Sequence, residues 1–490
     1  MNENEAAARH TVTRAQAGLV AGPLLCAAAL LLPPPEGMPV LAWRTAAVGV
    51  LMAAWWMTEA IPIAATALVP IVLFPLLGVS TVAAATAPYA NPAIYLFLGG
   101  FLIAMGLEGC GLHRRMALAV LGVAGPRPAN LILGFMGATA FISMWVSNSA
   151  TVVMMLPMAT SVMALARGGT QPSPGAAPRH FDVALLLGIA YAGSIGGLGT
   201  LIGTPPNALL AGFMAESYGV QIGFVQWMIL GIPIVAISLP VAWLLLTKWL
   251  HPVGSEPIAG GAAMLDAERQ TLGPMSRAEW TVGAITALTA AAWVSRPLIE
   301  RWVPALTDAG IAISGAVLLF VVPLTWRPLR VALTWAQAER LPWSVLILFG
   351  GGLSLAAAIQ ETGLAVWVGS VLGALAGWPI FAVILAVTTV VVFLTELTSN
   401  TATAAAFLPV VASLAVGIGA DPLLLAIPTA LAASCAFMMP VATPPNAIIY
   451  GTGALTIPQM ARAGLWLNLF FVALLPLVVY LMAGWLFTAS

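Results

Sequence analysis

Polar residues interrupt this chain rarely, and where they do, they recur. From Leu19 to Ala483 apolar runs follow one another, most of them long enough for the roughly 20 residues that a helix needs to cross a bilayer. The runs are continuous and do not alternate as barrel strands do. They predict spans over about 17–33, 44–60, 61–79, 93–112, 182–213, 225–249, 279–295, 308–325, 343–361, 422–453 and 462–487. Two further segments, about 129–166 and 379–417, are too long for one crossing. Each carries a polar break in its middle, "SNSAT" (Ser147–Thr151) in one and "SNTAT" (Ser399–Thr403) in the other. An apolar run folded at a polar tip reads as a re-entrant hairpin. Such a hairpin is tolerated at membrane depth only where protein or a water-filled cavity covers its backbone. The expected fold is an all-α polytopic membrane protein with about 11 transmembrane helices and two re-entrant helical hairpins.

The two polar phrases stand 252 residues apart. The same offset carries Gly99-Gly100 onto Gly351-Gly352, Gly111-Leu112 onto Gly363-Leu364, and Leu156-Pro157 onto Leu408-Pro409. A second pair, "GTPPNA" (Gly203–Ala208) and "ATPPNA" (Ala442–Ala447), matches at an offset of 239. The shortfall of 13 is about the length of the Gly/Pro-rich stretch Arg167–His180, which reads as a flexible cytoplasmic loop and has no equivalent in the second half. The chain therefore divides into a cytoplasmic tail (1–16), a first repeat (17–249), a polar cytoplasmic linker (250–278) and a second repeat (279–490).

Charge orients this plan. With the N-terminus cytoplasmic, the inner loops receive Arg114, Arg115, Arg127, Arg167, Arg179, Lys248, Arg269, Arg277, Arg327, Arg330, Arg340 and Arg462, and the outer side only Arg44, Arg296 and Arg301. That bias is the positive-inside pattern. Eleven crossings place the C-terminus outside. Five crossings separate the hairpins, so the second enters from the opposite face. Basic residues agree. Arg127, Arg167 and Arg179 flank the first hairpin, while no Lys or Arg occurs from 341 to 461. Inverted repeats with interrupted helices place a binding site near the bilayer midplane, the architecture of secondary transporters.

Composition narrows the class further. Of 490 residues, 61% are hydrophobic and 7% charged, against about 25% charged in soluble proteins. The formal net charge is zero, which leaves no basic field for nucleic acid. Cys26, Cys110 and Cys435 are scattered through apolar runs without metal-ligand spacing, and the four histidines form no ligand set. The polar start "MNENEAAARHTVTRAQ" ends in no small-residue cleavage site and reads as a tail, not a signal peptide.

The polar breaks carry the chemistry. Ser and Asn side chains and the unpaired carbonyls of a tip offer the oxygens that hard cations take. Hydroxyls and helix-start N–H groups can donate to an anion. The paired prolines of "TPPN" cannot lie in an unbroken helix. They unwind it and start a second half, with Thr204 and Thr443 as caps and Pro205 and Pro444 at the first helical position. Four carboxylates fall in apolar segments, Glu59, Glu108, Glu361 and Glu396, each a functional candidate by default. Glu396 faces Met144 in the other repeat, so a hydrogen-bonded structural role is favoured for it. No Lys or Arg lies in either hairpin core or either TPPN stretch. A dianion bound there needs bound cations for charge balance, a physical reason for coupling. No catalytic set of paired aspartates, Ser/His or zinc ligands is present, so an enzyme is not expected. A proton-coupled or sodium-independent carrier of citrate, tartrate or an oxyanion such as sulfate is the alternative, and a channel a further one.

These residues resemble the divalent anion/sodium symporter family. The resemblance spans nearly the whole chain and rests on "WWMTEAIP" (Trp55–Pro62), the paired Ser-Asn-Thr motifs, "GGLGTLIGTPPN" (Gly196–Asn207) and "MMPVATPPNA" (Met438–Ala447). It implies sodium-coupled symport of C4-dicarboxylates such as succinate, malate and fumarate. It implies a homodimer in the plasma membrane (the inner membrane of a Gram-negative cell), with an elevator motion against a scaffold of the first four and the seventh to ninth crossings. The family's first sodium site maps onto Ser143, Ser147, Asn148 and Gly203, and its second onto Thr395, Thr398, Asn400 and Ala442. Its substrate site maps onto Ser147, Asn148, Ser149, Ser399, Asn400, Thr401, Thr443 and Pro444. Ser149 departs from the family threonine. It keeps the hydroxyl, loses the methyl and makes the pocket roomier.

Overall fold

The computed structural model describes residues 13–167, 179–258, 260–371 and 377–487. Residues 1–12 of the expected tail and 168–178 of the expected loop lie outside the described residues. Among the described residues, ten helices are long and apolar enough to cross a membrane, and five further apolar helices are shorter. The chain is an integral membrane protein built almost wholly of helix.

Local chemistry sets the helix ends. Thr13 and Gln16 form a capping box at the start of Arg14–Leu31, and Ser276 with Glu279 does the same for Arg277–Ile299. Gly111 (φ 79°) and Gly363 (φ 78°) end Pro92–Cys110 and Trp343–Glu361 in the left-handed region that glycine enters without strain. After each glycine a shorter helix begins, Leu112–Leu121 in one case and Leu364–Val371 in the other.

Three regions depart from the sequence expectation. Residues 61–79, expected as one full span, form two short helices, Ile63–Thr66 and Val69–Leu76. Pro62, just before the first helix, and Pro70, in the first turn of the second, punctuate that apolar run. The span expected over 308–325 ends at Val321, and Pro323–Trp326 pairs antiparallel with Leu329–Val331, a small ribbon in an otherwise all-α plan. The linker contains a helix, Gly261–Leu272. Glu268 on it pairs with Arg114. Arg115 reaches Glu279 on the following helix at 2.7 Å, and Arg269 of the linker helix donates to the Leu118 carbonyl at 2.9 Å, so Leu112–Leu121 is held near its start and towards its end.

The hairpins and broken helices form the centre. Pro128–Ser143 and Asn148–Ala166 meet at a break over 144–147, and Ile380–Thr395 and Asn400–Gly417 at a break over 396–399. His180–Gly197 is followed by an unwound stretch, 198–204, and by Pro205–Tyr218. Leu423–Ala433 is followed by 434–443 and Pro444–Tyr450. Both second halves begin at the first proline of the pair, because the missing N–H is one a helix start leaves unused. His180–Gly197 is buried from Asp182 onward and packs on both arms of the first hairpin. Asn148–Ala166 packs on Pro444–Tyr450, and Asn400–Gly417 on Pro205–Tyr218. Each hairpin therefore leans on the half-helix that follows the other.

Candidate functional site

Each hairpin break brings a hydroxyl, an asparagine amide and backbone carbonyls within hydrogen-bonding distance of one another. At the first, Ser143 Oγ lies 2.6 Å from Asn148 Oδ1 and 2.7 Å from the Gly193 carbonyl oxygen. One hydroxyl proton cannot serve both acceptors fully. The same amide position of Asn148 is 3.3 Å from Gly193 O and 3.2 Å from Gly203 O. With nitrogen turned there, the two amide hydrogens of Asn148 are shared among the three neighbours. With oxygen there, four oxygens face one another, which a cation among them would stabilise. Ser143 is fully buried. Gly203 and Gly197 make this approach possible, since a Cβ on Gly203 would collide with the Gly197 carbonyl.

The second break repeats the pattern. Thr395 Oγ1 lies 2.9 Å from Asn400 Oδ1 and 2.7 Å from the Ala433 carbonyl oxygen. Thr398 is placed differently. Its hydroxyl bonds Leu394 O at 3.0 Å and Thr403 Oγ1 at 2.6 Å, apart from the Thr395–Asn400 pair. Ala442 is buried in the unwound loop, its N–H on Met439 O at 3.2 Å. The carbonyls of Gly193 and Ala433 are the oxygens that sequence reasoning missed, because a backbone group carries no residue signature.

The unwound loops are pinned by one asparagine each. Asn207 Nδ2 donates to Gly197 O (3.1 Å) and Thr200 O (2.8 Å). Asn446 Nδ2 donates to Ala436 O (3.3 Å) and Met439 O (3.1 Å). The equivalence is residue for residue at the 239 offset. The two loops meet at Thr204 Oγ1 and Ser434 Oγ, 3.2 Å apart. Thr204 stands at a cap position but makes no capping bond, whereas Thr443 Oγ1 accepts from Asn446 N at 3.3 Å. Thr443 is buried, and Pro444 after it is exposed at the half-helix start.

Glu396 has the structural role favoured for it. It accepts from the N–H groups of Phe437 (2.6 Å), Met438 (2.9 Å) and Met439 (3.0 Å), and from Asn468 Nδ2 (2.8 Å). Its counterpart Met144 lends only a carbonyl, which accepts from Thr200 Oγ1 at 2.6 Å.

The tips also face open space. Ser147 Oγ caps its helix by accepting from Ala150 N at 3.3 Å. It also lines a cavity of about 420 Å³ with Met105, Glu108, Gln337 and Arg340. Ser399 makes no capping bond and lines a cavity of about 540 Å³ with Ser344 and Glu59–Ala64. The "WWMTEAIP" stretch thereby gains a place in the site. Trp56 is buried and donates from Nε1 to Ile63 O at 3.1 Å, closing the turn. Glu59 ends the preceding helix in the left-handed region, φ 50°, a strained setting for a side chain with a Cβ. Asn148, Ser149, Ser399 and Asn400 are half-buried and Thr401 is buried. Two arginines from distant parts of the chain reach the tips. Arg340 lines the Ser147 cavity, and Arg14 donates to Leu397 O two residues before Ser399. Local sequence could not show either. Among the described residues no group of three or more His, Cys, Asp or Glu could hold a metal.

Known proteins resemble this chain over most of its length. Over 471 residues the chain is 42% identical to the sodium-dependent dicarboxylate transporter SdcS of Staphylococcus saprophyticus, covering 94% of this chain and 90% of that protein. It is 43% identical to SdcS of Staphylococcus aureus strain USA300 over 469 residues, with the same coverage. Among solved structures, the YdaH transporter of Alcanivorax borkumensis shares the fold, with a TM-score of 0.55 at 17% identity, over 82% of this chain and 86% of that one. The model of the sodium:sulfate symporter transmembrane region matches residues 15–489, so the chain belongs to that family of membrane transporters, which are not enzymes.

Proposed function

We propose that this protein is a secondary active transporter that couples sodium to the symport of C4-dicarboxylates such as succinate, malate and fumarate. The observation that carries the reading is the pair of oxygen clusters at the hairpin breaks. Ser143, Asn148, Gly193 and Gly203 compose one, and Thr395, Asn400 and Ala433 the other. Sodium at each supplies the positive charge that the breaks themselves lack, and the dianion then bridges the Ser147-Asn148-Ser149 and Ser399-Asn400-Thr401 hydroxyls and amides, with Thr443 and Pro444 beside it. Ser147 completes the first sodium shell beside Ser143, Asn148 and Gly203, and Thr398 and Ala442 the second, by carbonyl or hydroxyl. The names of the SdcS relatives support both the ion and the substrate class.

The transport cycle moves the hairpins and broken helices as one body against a scaffold, in a homodimer. The N-terminus is cytoplasmic, the first hairpin enters from the cytoplasm and the second from outside. Proteoliposome uptake of labelled succinate tests the function, with sodium replaced by choline and with malate, fumarate, citrate, sulfate and tartrate as competitors. Uptake should require sodium and yield to malate and fumarate before sulfate. Asn148→Ala and Asn400→Ala should each abolish sodium-dependent uptake in folded protein. Unchanged uptake in choline, or wild-type sodium affinity in either variant, would overturn the reading.

A further inference from the structure

Away from the hairpins, a groove of about 510 Å³ runs between Phe224–Leu250 and the last helix, Ile457–Leu486. Its lining is stratified. Val241, Leu244, Leu245, Leu469 and Phe470 line the apolar part. Trp249 and Trp466 follow, with ring centroids 6.0 Å apart and both exposed. Lys248 lines the groove at the C-terminal end of the first helix. Arg462 lies one helical turn before Trp466, on the same side of the last helix. The helices present these ends together, so two cations top one apolar slot, with tryptophans between.

This order is that of a phospholipid: chains, interfacial backbone, phosphate. Tryptophan favours the headgroup level, and basic pockets between transmembrane helices bind anionic headgroups. Lys248 and Arg462 enter no ion pair or hydrogen bond among the described residues, so both charges stay available. The acid on the adjacent helix His180–Gly197, Asp182, is paired with Arg167 at 2.6 Å. The groups beside His251, just beyond Lys248, are His180, its ring centroid 5.6 Å away, and Arg462. Burial, with those two cationic or ionisable neighbours, pushes His251 down to about 4. Two cations that pair with no acid among the described residues leave a place for an anion. The backbone adds a second sign, since Leu245–Leu250 is π-helical, an irregularity that is frequent at functional sites.

We propose that this groove is a binding site for an anionic phospholipid, its phosphate between Lys248 and Arg462 and its acyl chains along Leu244, Leu245, Leu469 and Phe470. The site is separate from the hairpin tips and does not depend on what is transported. Native mass spectrometry of the full-length protein tests it. Phosphatidylglycerol and phosphatidylcholine with identical chains are titrated against wild type, the Lys248→Gln/Arg462→Gln double variant, and Leu469→Trp, which fills the groove without altering charge. Wild type should retain phosphatidylglycerol roughly tenfold more than phosphatidylcholine. The double variant should lose that preference while still binding phosphatidylcholine, and Leu469→Trp should lose both lipids from this site. Melting temperature measured in lipid-free detergent verifies folding. No headgroup preference in wild type, or the same preference in the double variant, would overturn the proposal. So would displacement of the lipid by millimolar inorganic phosphate, which would mark a site for a free anion.

Discussion

The two repeats hold their unwound loops with the same pair of positions and opposite chemistry. In the first, Thr200 donates a hydroxyl proton to the carbonyl of Met144. In the second, the equivalent of Met144 is Glu396 and the equivalent of Thr200 is Met439. There a buried carboxylate collects three consecutive backbone N–H groups and the Asn468 amide. One neutral hydrogen bond does for the first loop what four charge-assisted ones do for the second. Sequence context explains the difference. The first stretch has glycines at 196, 197, 199 and 203 and turns tightly, so its own N–H groups find backbone acceptors, Gly199 on Gly196 O at 2.9 Å and Gly203 on Thr200 O at 3.4 Å. The second has Cys435, Ala436 and Phe437 in place of the glycines, and the N–H groups of Phe437, Met438 and Met439 go to Glu396. Symmetry of position has been kept while the bonding that holds the position has diverged.

The largest expected effect breaks that contrast directly. Glu396→Ala strands the Phe437, Met438 and Met439 N–H groups, each costing about 1–3 kcal/mol when buried and unmade. The variant should lose more than about 3 kcal/mol and recover little folded protein, read as melting temperature in detergent. Thr200→Val removes one bond and should cost only about 1 kcal/mol. Equal losses for the two would show that the carboxylate is not what organises the second loop.

The asparagine staples, in contrast, are alike in both repeats, so they serve as the internal control. Asn207→Ala and Asn446→Ala each remove two hydrogen bonds from fully buried amides. Each should cost about 2 kcal/mol and weaken sodium binding through the loosened loop. A difference of more than about 1 kcal/mol between them would mean the loops are not supported in the same way.

A third test sharpens the comparison at the ions themselves. Ser143→Ala and Thr395→Ala delete the one hydroxyl in each oxygen cluster. Hydrogen-bonding and coordinating oxygens around a charge contribute about 1.5–3 kcal/mol each, so sodium affinity should fall by about tenfold or more in either variant. Thr395→Ser keeps the oxygen and should retain affinity. Scintillation or fluorescence titration with sodium reads the shift, and an unaltered sodium affinity in Ser143→Ala would remove that residue from the ion's shell.

Much of this was legible before the structure. Long apolar runs marked the helices, and the polar phrases at 147 and 399 marked the breaks, because burying such residues is costly without a reason. The double prolines located the half-helix starts to the residue. Three things were hidden. Gly193 and Ala433 contribute carbonyl oxygens, which any residue possesses. Arg14 and Arg340 act across 383 and 193 positions of sequence respectively, beyond any local pattern. The short helices within 61–79 look like a full span by hydrophobicity alone, since proline punctuation shortens helix without lowering apolarity. The Pro323–Val331 ribbon was lost for a related reason, being too short to separate from the apolar run before it.

The smallest expected effect concerns the one place where the motifs themselves differ, Ser149 against Thr401. Both follow the asparagine of their tip, Thr401 buried and Ser149 half-buried. The hydroxyl is common to both, so dianion binding should survive exchange in either direction. The methyl is not. A buried methyl group is worth about 0.8 kcal/mol, which sets the scale at about fourfold in affinity. Ser149→Thr narrows the first tip and should raise the ratio of citrate to succinate inhibition constants by that factor. Thr401→Ser widens the second and should lower it. Sodium affinity should stay constant in both variants, because neither residue touches the Ser143 or Thr395 cluster. If the ratio moves in neither variant, the substrate does not lie against these side chains. If sodium affinity moves with it, the ion and anion sites share these residues, and the two tips are less divided in their work than their geometry implies.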